Sequence, residues 1–393
     1  MKKILLLLII FLFMPSTAIA GENQDQNNID TGELVDEILE QVDTYELENI
    51  IGQMNIETKD YLPSLNIREI ISSLARGKFS LNSKDLFMGI MKYLFNEVIM
   101  NSGILARLIL LSIICALLQN LQSSFESHSV GEIAYNIVYF VILGMAIQSF
   151  AMAIKIGVEA IDSMVQFMYA LLPTLIALLT ATGALSSAAL FQPIVTFTVN
   201  MLSTFVKNII LPLIFFGAIL NLINYISSKV QIYKLAGLIK QATVVLLGFV
   251  MTIFLGIMTI QGVAASSFDG VTARTAKYAV DNLIPIIGGF LSDAVDTIIG
   301  CSLLIKNAIG AFGLFFLFII ILFPLIKIVA LILIYKLSSA MIEPIADGRI
   351  VDSLNDMAKS LILVFVAVLS VAIMFFIVVT IIISTGNITV MMR

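Results

Sequence analysis

The chain has 393 residues, 59% of them hydrophobic and 12% charged, with a net charge of −5. Soluble domains carry about 25% charged residues, so an ordinary water-soluble globule is excluded, and no basic block suggests nucleic acid. Unbroken hydrophobic runs of about 20 residues, each able to cross a hydrocarbon core as helix, recur through the last three quarters. They lack the alternation of barrel strands, so the expected fold class is all-α: a polytopic helical membrane protein whose backbone polar groups are satisfied within helices.

In chain order, the N-terminus reads as a secretory signal over residues 1–20. Lys2 and Lys3 supply the charged region, Ile4 to Met14 the apolar core, and Ala18-Ile19-Ala20 a small-x-small cleavage site before Gly21. The alternative is an uncleaved anchor helix, against which the shortness of the apolar core argues. Residues 21–103 form an acidic region, expected to be extracytoplasmic and helical. Between Glu22 and Glu48 there is no Lys or Arg, and Leu34, Ile38, Leu39, Val42 and Tyr45 recur at helical spacing. A solvated acidic arm is the other reading of residues 21–60. Shorter amphipathic patterns follow through Ile67, Ile70, Ile71 and Leu74, and through Leu86, Ile90 and Leu94. Such helices pack together, lie on a membrane surface or dock to a partner.

The membrane domain is expected over 104–393, with seven or eight spans at 104–121, 133–154, 164–183, 188–206, 208–226, 241–265, 307–333 and 360–384. Gln192, Pro193 and Asn200 interrupt the fourth. Counting from an external Gly21 places the loop of Lys229, Lys234 and Lys240 inside, together with the loop from Lys336 to Lys359, as the bias of Lys and Arg toward the cytoplasm requires. Lys229, Lys234, Lys240, Lys336 and Arg349 are therefore a candidate cytoplasmic partner surface. The second loop also carries Glu343, Asp347, Asp352 and Asp356, but acids contribute little to orientation. Eight crossings, or six plus a re-entrant hairpin at 164–206, keep this parity.

A weak duplication runs through the second half. Val206-Lys207-Asn208 is answered by Ile305-Lys306-Asn307, and Tyr233-Lys234-Leu235 by Tyr335-Lys336-Leu337, although such short matches also arise by chance. A true duplication would be a parallel repeat, and transporters place substrate paths between related halves using interrupted segments. The interrupted segment at 280–306 contains Pro285, Gly288, Gly289, Asp293, Asp296 and Gly300 and ends at Lys306. Ionisable groups at membrane depth face a wet cavity or a partner, which makes this hairpin a candidate path; alternatively it lies at the outer interface with its aspartates in water. Lys327, three residues after Pro324, is a further path candidate.

Other polar or small residues have simpler readings. Arg107 snorkels from a span end, Lys155 and Glu159 form a surface ion pair, and Asn221 and Asn224 hydrogen-bond between helices. Gly248, Gly256 and Ala264 make a small-residue stripe for helix packing. Cys115 and Cys301 read as buried small hydrophobes. His128 has no ligand partners in sequence, and there is no HExxH, Walker loop or GxGxxG. No catalytic residue, cofactor or metal is expected.

Three stretches resemble the stage III sporulation protein AE family of endospore-forming bacteria. They are Leu172-Pro173-Thr174-Leu175 through Ser186-Ser187-Ala188-Ala189, Arg274 through Gly313, and Glu343-Pro344-Ile345-Ala346-Asp347-Gly348-Arg349-Ile350. The resemblance implies a multi-pass component of the mother-cell membrane around the forespore, with its N-terminal region in the intermembrane space. It further implies an assembly with stage III sporulation proteins AA to AH, in which AA resembles a secretion ATPase, and with stage II sporulation protein Q more indirectly. The expected function is a non-enzymatic, permease-like subunit. Two alternatives stay open: a free-standing transporter of small solutes that couples to ions through Asp293, Asp296 or Lys327, and a scaffold that conducts nothing. Membrane lipid is a partner under all three readings.

Overall fold

The computed structural model describes residues 45, 47–50, 52, 67–77, 83–124, 128–225, 232–283 and 288–391, of which 67, 83, 85, 119–124, 128–132, 265–283, 288–296 and 386–391 as backbone alone. The described residues are helical apart from short turns, as the composition requires. The elements are α1 (Ile67–Ala75), α2 (Ser83–Met100), α3 (Ser102–Ser124), α4 (His128–Ala181), α5 (Leu185–Phe205), a π-helical turn (Val206–Ile210), α6 (Leu211–Ile223), α7 (Tyr233–Leu283), α8 (Gly288–Ile342) and α9 (Gly348–Met391). Among the described residues, five helical rods are long and apolar enough to cross a membrane, or six if the pair α2–α3, bent by 43°, is one span.

Each junction has a local cause. Gly183, at φ 84°, takes the left-handed conformation that ends α4, and the Ala184 N–H closes the turn on the Leu179 carbonyl at 3.2 Å. Pro212, in the first turn of α6, has no N–H to give to the carbonyl four residues back, and its ring crowds that carbonyl. The helix accommodates this by widening into the π turn immediately before it. At the start of α9, the Asp347 carboxylate accepts from the Arg349 N–H at 3.3 Å, and its carbonyl accepts from the Ile350 N–H at 3.0 Å. Two first-turn donors of α9 are thereby satisfied.

Contacts fix the directions of the rods. Lys306 meets Ile383 and Lys336 meets Asn355, so α8 and α9 are antiparallel. Tyr135 reaches Asp347, and Gly157 meets Val364 and Val368, so α4 runs parallel to α9. Gly262 meets Ile381, which aligns α7 with both. The α5–α6 rod and α8 run the other way. One end of the bundle therefore carries the α8–α9 loop and the start of α7, and the opposite end carries the α4–α5 turn.

The core lies where α4, α8 and α9 meet. Phe167, Phe312 and Phe316 stack there, fully or almost fully buried. Glycine permits the closest approaches: a Cβ on Gly313 would lie 2.5 Å from Leu171, and one on Gly310 would lie 2.3 Å from Ile383. Cys115 and Cys301 are buried free thiols.

The rods are longer than the hydropathy segments. Segments 133–154 and 164–183 are halves of α4, whose 54 residues correspond to about 80 Å of helix. Segments 188–206 and 208–226 join through the π turn. Of the interrupted segment 280–306, residues 280–283 close α7 and 288–306 open α8, which continues unbroken from Gly288; the remainder lies outside the described residues. A hydropathy minimum is not a helix break: Lys155, Glu159 and Asp162 are polar, but nothing among them stops a helix.

Two further expectations differ from the structure. The matching tripeptides occupy unlike positions: Tyr233 is the exposed first residue of α7, while Tyr335 is fully buried inside α8. Among the described residues, a Cβ at Gly248 or Gly256 would meet open space, so the expected small-residue stripe makes no close helix contact there.

Candidate functional site

The chemistry-bearing residues fall at three places. At the end carrying the α4–α5 turn, α8 presents Lys306, which is fully buried. Its Nζ donates to the Ile383 carbonyl of α9 at 2.8 Å, and one turn later Gly310 lets the two helices come close enough for that bond. At the same level lies Gln261 of α7, next to the Gly262–Ile381 contact; its Nε2 and the Asn307 Oδ1 of α8 are buried without a hydrogen-bond partner among the described residues. A fully buried ammonium whose hydrogen-bond partner among the described residues is a carbonyl is costly in a medium of low dielectric, so Lys306 stands out among the path candidates.

The other path candidates are not gathered around it. Gly288, Gly289, Asp293 and Asp296 fall in the first turns of α8, described as backbone, and Pro285 lies outside the described residues. Gly300 is half-buried, with open space where a Cβ would point. Lys327 is half-buried on α8, seven residues short of the fully buried Ile334.

At the opposite end the expected basic surface is brought together. Lys234 and Lys240 are exposed on the first turns of α7, Lys336 donates to the Asn355 Oδ1 at 2.6 Å, and exposed Arg349 lies 3.9 Å from Asp347. Lys229 lies outside the described residues. Between α6, α7 and α9 a cavity of about 120 Å³ opens, lined among others by Lys240, Thr243, Asp356 and Lys359. Asp356 is its hub: it accepts from Asn221 Nδ2 at 3.0 Å, Tyr225 OH at 2.7 Å and Lys359 Nζ at 2.7 Å. The expected interhelical role of Asn221 is thus met, whereas in sequence Asp356 is only one of several loop acids. Its signal there is the i,i+3 spacing to Lys359.

The third place lies midway along the bundle. Lys155 and Glu159 form the expected i,i+4 pair at 3.6 Å, both exposed. One turn on, Asp162 accepts a charged hydrogen bond from Lys207 of the π turn. This second pair joins residues 45 apart in sequence, and neither spacing nor composition announces it.

Among the described residues, helical rods long and apolar enough to cross a membrane define a polytopic helical membrane protein. Among known proteins, the Stage III sporulation protein AE family matches residues 65–386, which takes in nearly all of the helices named above. The chain is 39% identical to "Stage III sporulation protein AE" of Bacillus subtilis (strain 168) over 317 residues, covering 81% of this chain and 79% of that protein. The chain therefore belongs to the stage III sporulation protein AE family. No solved structure matches it.

Proposed function

We propose that the chain is a non-enzymatic, permease-like membrane subunit of a transport or secretion assembly that links mother cell and forespore during endospore formation. The observation that carries this reading is the family match over the helical bundle, combined with charged and polar groups set among rods of membrane-spanning character. In this reading the protein lies in the mother-cell membrane around the forespore with its N-terminal region extracytoplasmic. The end bearing Lys234, Lys240, Lys336 and Arg349 then faces the cytoplasm, following the bias of basic residues, and offers its surface to a secretion-type ATPase. The other stage III sporulation proteins, AB to AH, are the companions within the membrane and the space between the membranes. Residues 285–304 with Lys306 and Lys327 remain candidates for the path.

The test is a mild-detergent pull-down of the tagged chain from sporulating host cells, with the associated proteins identified. Recovery of an ATPase and other stage III subunits is the expected result. Recovery of the chain alone, while a control complex survives the same detergent, would favour a free-standing transporter and direct attention to solute uptake.

A further inference from the structure

The cavity of about 120 Å³ between α6, α7 and α9 receives one face from each helix. From α7 come Tyr233, Gly237 and Lys240, and from α9 Asp356, Lys359 and Leu363, both sets at spacings of three and four residues that share a helix face. Buried Ile214 and Ala218 of α6 close the back. Tyr233, Gly237, Lys240 and Lys359 are exposed, so the cavity opens at the molecular surface. Sequence sets its depth. No Asp, Glu, Lys or Arg occurs from Gln241 to Phe268, from Ser360 to Met391, or from Asn208 to Ile223. Lys240 and Lys359 are thus the last charges before two apolar runs, and Asn221 lies in the last turn of a third. The mouth stands where hydrocarbon gives way to headgroups.

The lining offers donors in excess of free acceptors. Asp356 is its carboxylate, but the two oxygens already accept from Asn221, Tyr225 and Lys359. Lys359 keeps two ammonium hydrogens beyond that bond. The Lys240 side chain makes no ion pair or hydrogen bond among the described residues. Thr243 and Ser360 give their hydroxyl hydrogens to the Ile239 and Asp356 carbonyls. What remains for a ligand is two ammonium groups and the exposed Tyr233 phenol, beside the positive end of α7. Asp352, one turn before Asp356, is exposed and does not line the cavity.

Such a set suits a small anion with several acceptor oxygens, and a phosphate is of that kind. The surroundings decide between a soluble phosphate and one carried on hydrocarbon. Leu213 and Leu363 line the cavity, and immediately beyond Lys240 α7 exposes Val244, Val245 and Phe249. An acyl chain leaving the mouth would lie along these side chains. Basic pockets between spanning helices at this level hold anionic headgroups in the same way.

We propose that the cavity between α6, α7 and α9 binds the phosphate of an anionic glycerophospholipid, with Lys240, Lys359 and Tyr233 on the headgroup and the acyl chains against α7. The site requires only that the bundle spans a membrane, so the outcome of the pull-down does not bear on it. The experiment titrates the full-length chain, purified in mild detergent and stripped of lipid, with dioleoylphosphatidylglycerol and counts bound lipid by native mass spectrometry. Wild type should bind this lipid at least about tenfold more tightly than zwitterionic dioleoylphosphatidylcholine, and Lys240→Gln should lose about tenfold, as for one charge-assisted hydrogen bond. Gly237→Leu fills the cavity without touching its charges, since a Cβ there meets nothing within 4 Å, and should weaken binding to a similar degree. Lys234→Gln, exposed nearby on α7 but not lining the cavity, should weaken it by no more than about threefold. Gel-filtration profiles matching wild type show that the variants are folded. Equal affinity for the two lipids, or wild-type affinity in either Lys240→Gln or Gly237→Leu, would overturn the site. Equal losses in Lys234→Gln and Lys240→Gln would reduce it to diffuse surface charge and overturn it as well. Displacement of the bound lipid by millimolar inorganic phosphate would overturn the lipid and assign the cavity to a soluble phosphate compound.

Discussion

Lys306 and the glycines beside it show how closely single atoms are set in the core. Lys306→Met removes the amine from the Ile383 carbonyl but keeps an apolar stem of similar length, and should cost about 1 kcal/mol. Lys306→Glu sets a carboxylate against a carbonyl oxygen in a buried site and should cost about 3 kcal/mol or more. Thermal aggregation midpoints in mild detergent should therefore fall in the order wild type, Met, Glu; a Glu variant as stable as wild type would mean that the amine is not buried. Gly313→Ala drives a methyl into Leu171, where overpacking costs about 1–3 kcal/mol. Gly300→Ala, with open space around its Cβ, should instead be neutral or slightly stabilising through helix propensity. Opposite signs for the two alanines are the expected result of the same melting assay.

Between elements, polar ties set the register that apolar packing alone leaves loose. Asp356 joins α6 to α9 through Asn221 and Tyr225. Tyr225→Phe and Asp356→Asn should each destabilise, and their double mutant should show a coupling of about 0.5–3 kcal/mol, as expected for residues in contact. Strict additivity would mean that the 2.7 Å bond does not persist in the folded protein. The π turn makes a related tie, since the extra residue accommodated before Pro212 accompanies the bond from Lys207 to Asp162. What the sequence makes legible at this scale follows from what pattern can encode. Helical periodicity, the Lys155–Glu159 pair and the buried cysteines are local properties, and the structure shows each of them. The merging of segments into rods, the hub at Asp356 and the pair of Asp162 with Lys207 depend on tertiary placement. Hydropathy does not separate a polar belt on a continuous helix from a loop, because both lower the local average in the same way.

At the scale of the whole molecule, α8 and α9 form the spine against which the other rods are laid. Val364, Ala367, Val368, Val371, Phe375 and Val378 of α9 are all buried, and α9 touches α4 through Gly157 as well as α8 along its length. A chain ending before Gly348 should consequently fail to accumulate in host membranes, as immunoblotting of membrane fractions would show. Substitutions at the exposed positions Gln166 of α4 and Asn200 of α5, such as Gln166→Ala and Asn200→Ala, should by contrast accumulate normally. The bond from Lys306 to Ile383 also bears on how the protein is made. Its two ends are 77 residues apart. A ribosome delivering α8 to the membrane presents a charged amine whose acceptor has not yet been synthesised. α8 must then wait at the edge of the insertion machinery, or sit shallowly in the bilayer, until α9 arrives. The two helices would settle as one unit, and the time a nascent chain spends half-inserted would be set by how quickly the 77 residues between donor and acceptor are translated.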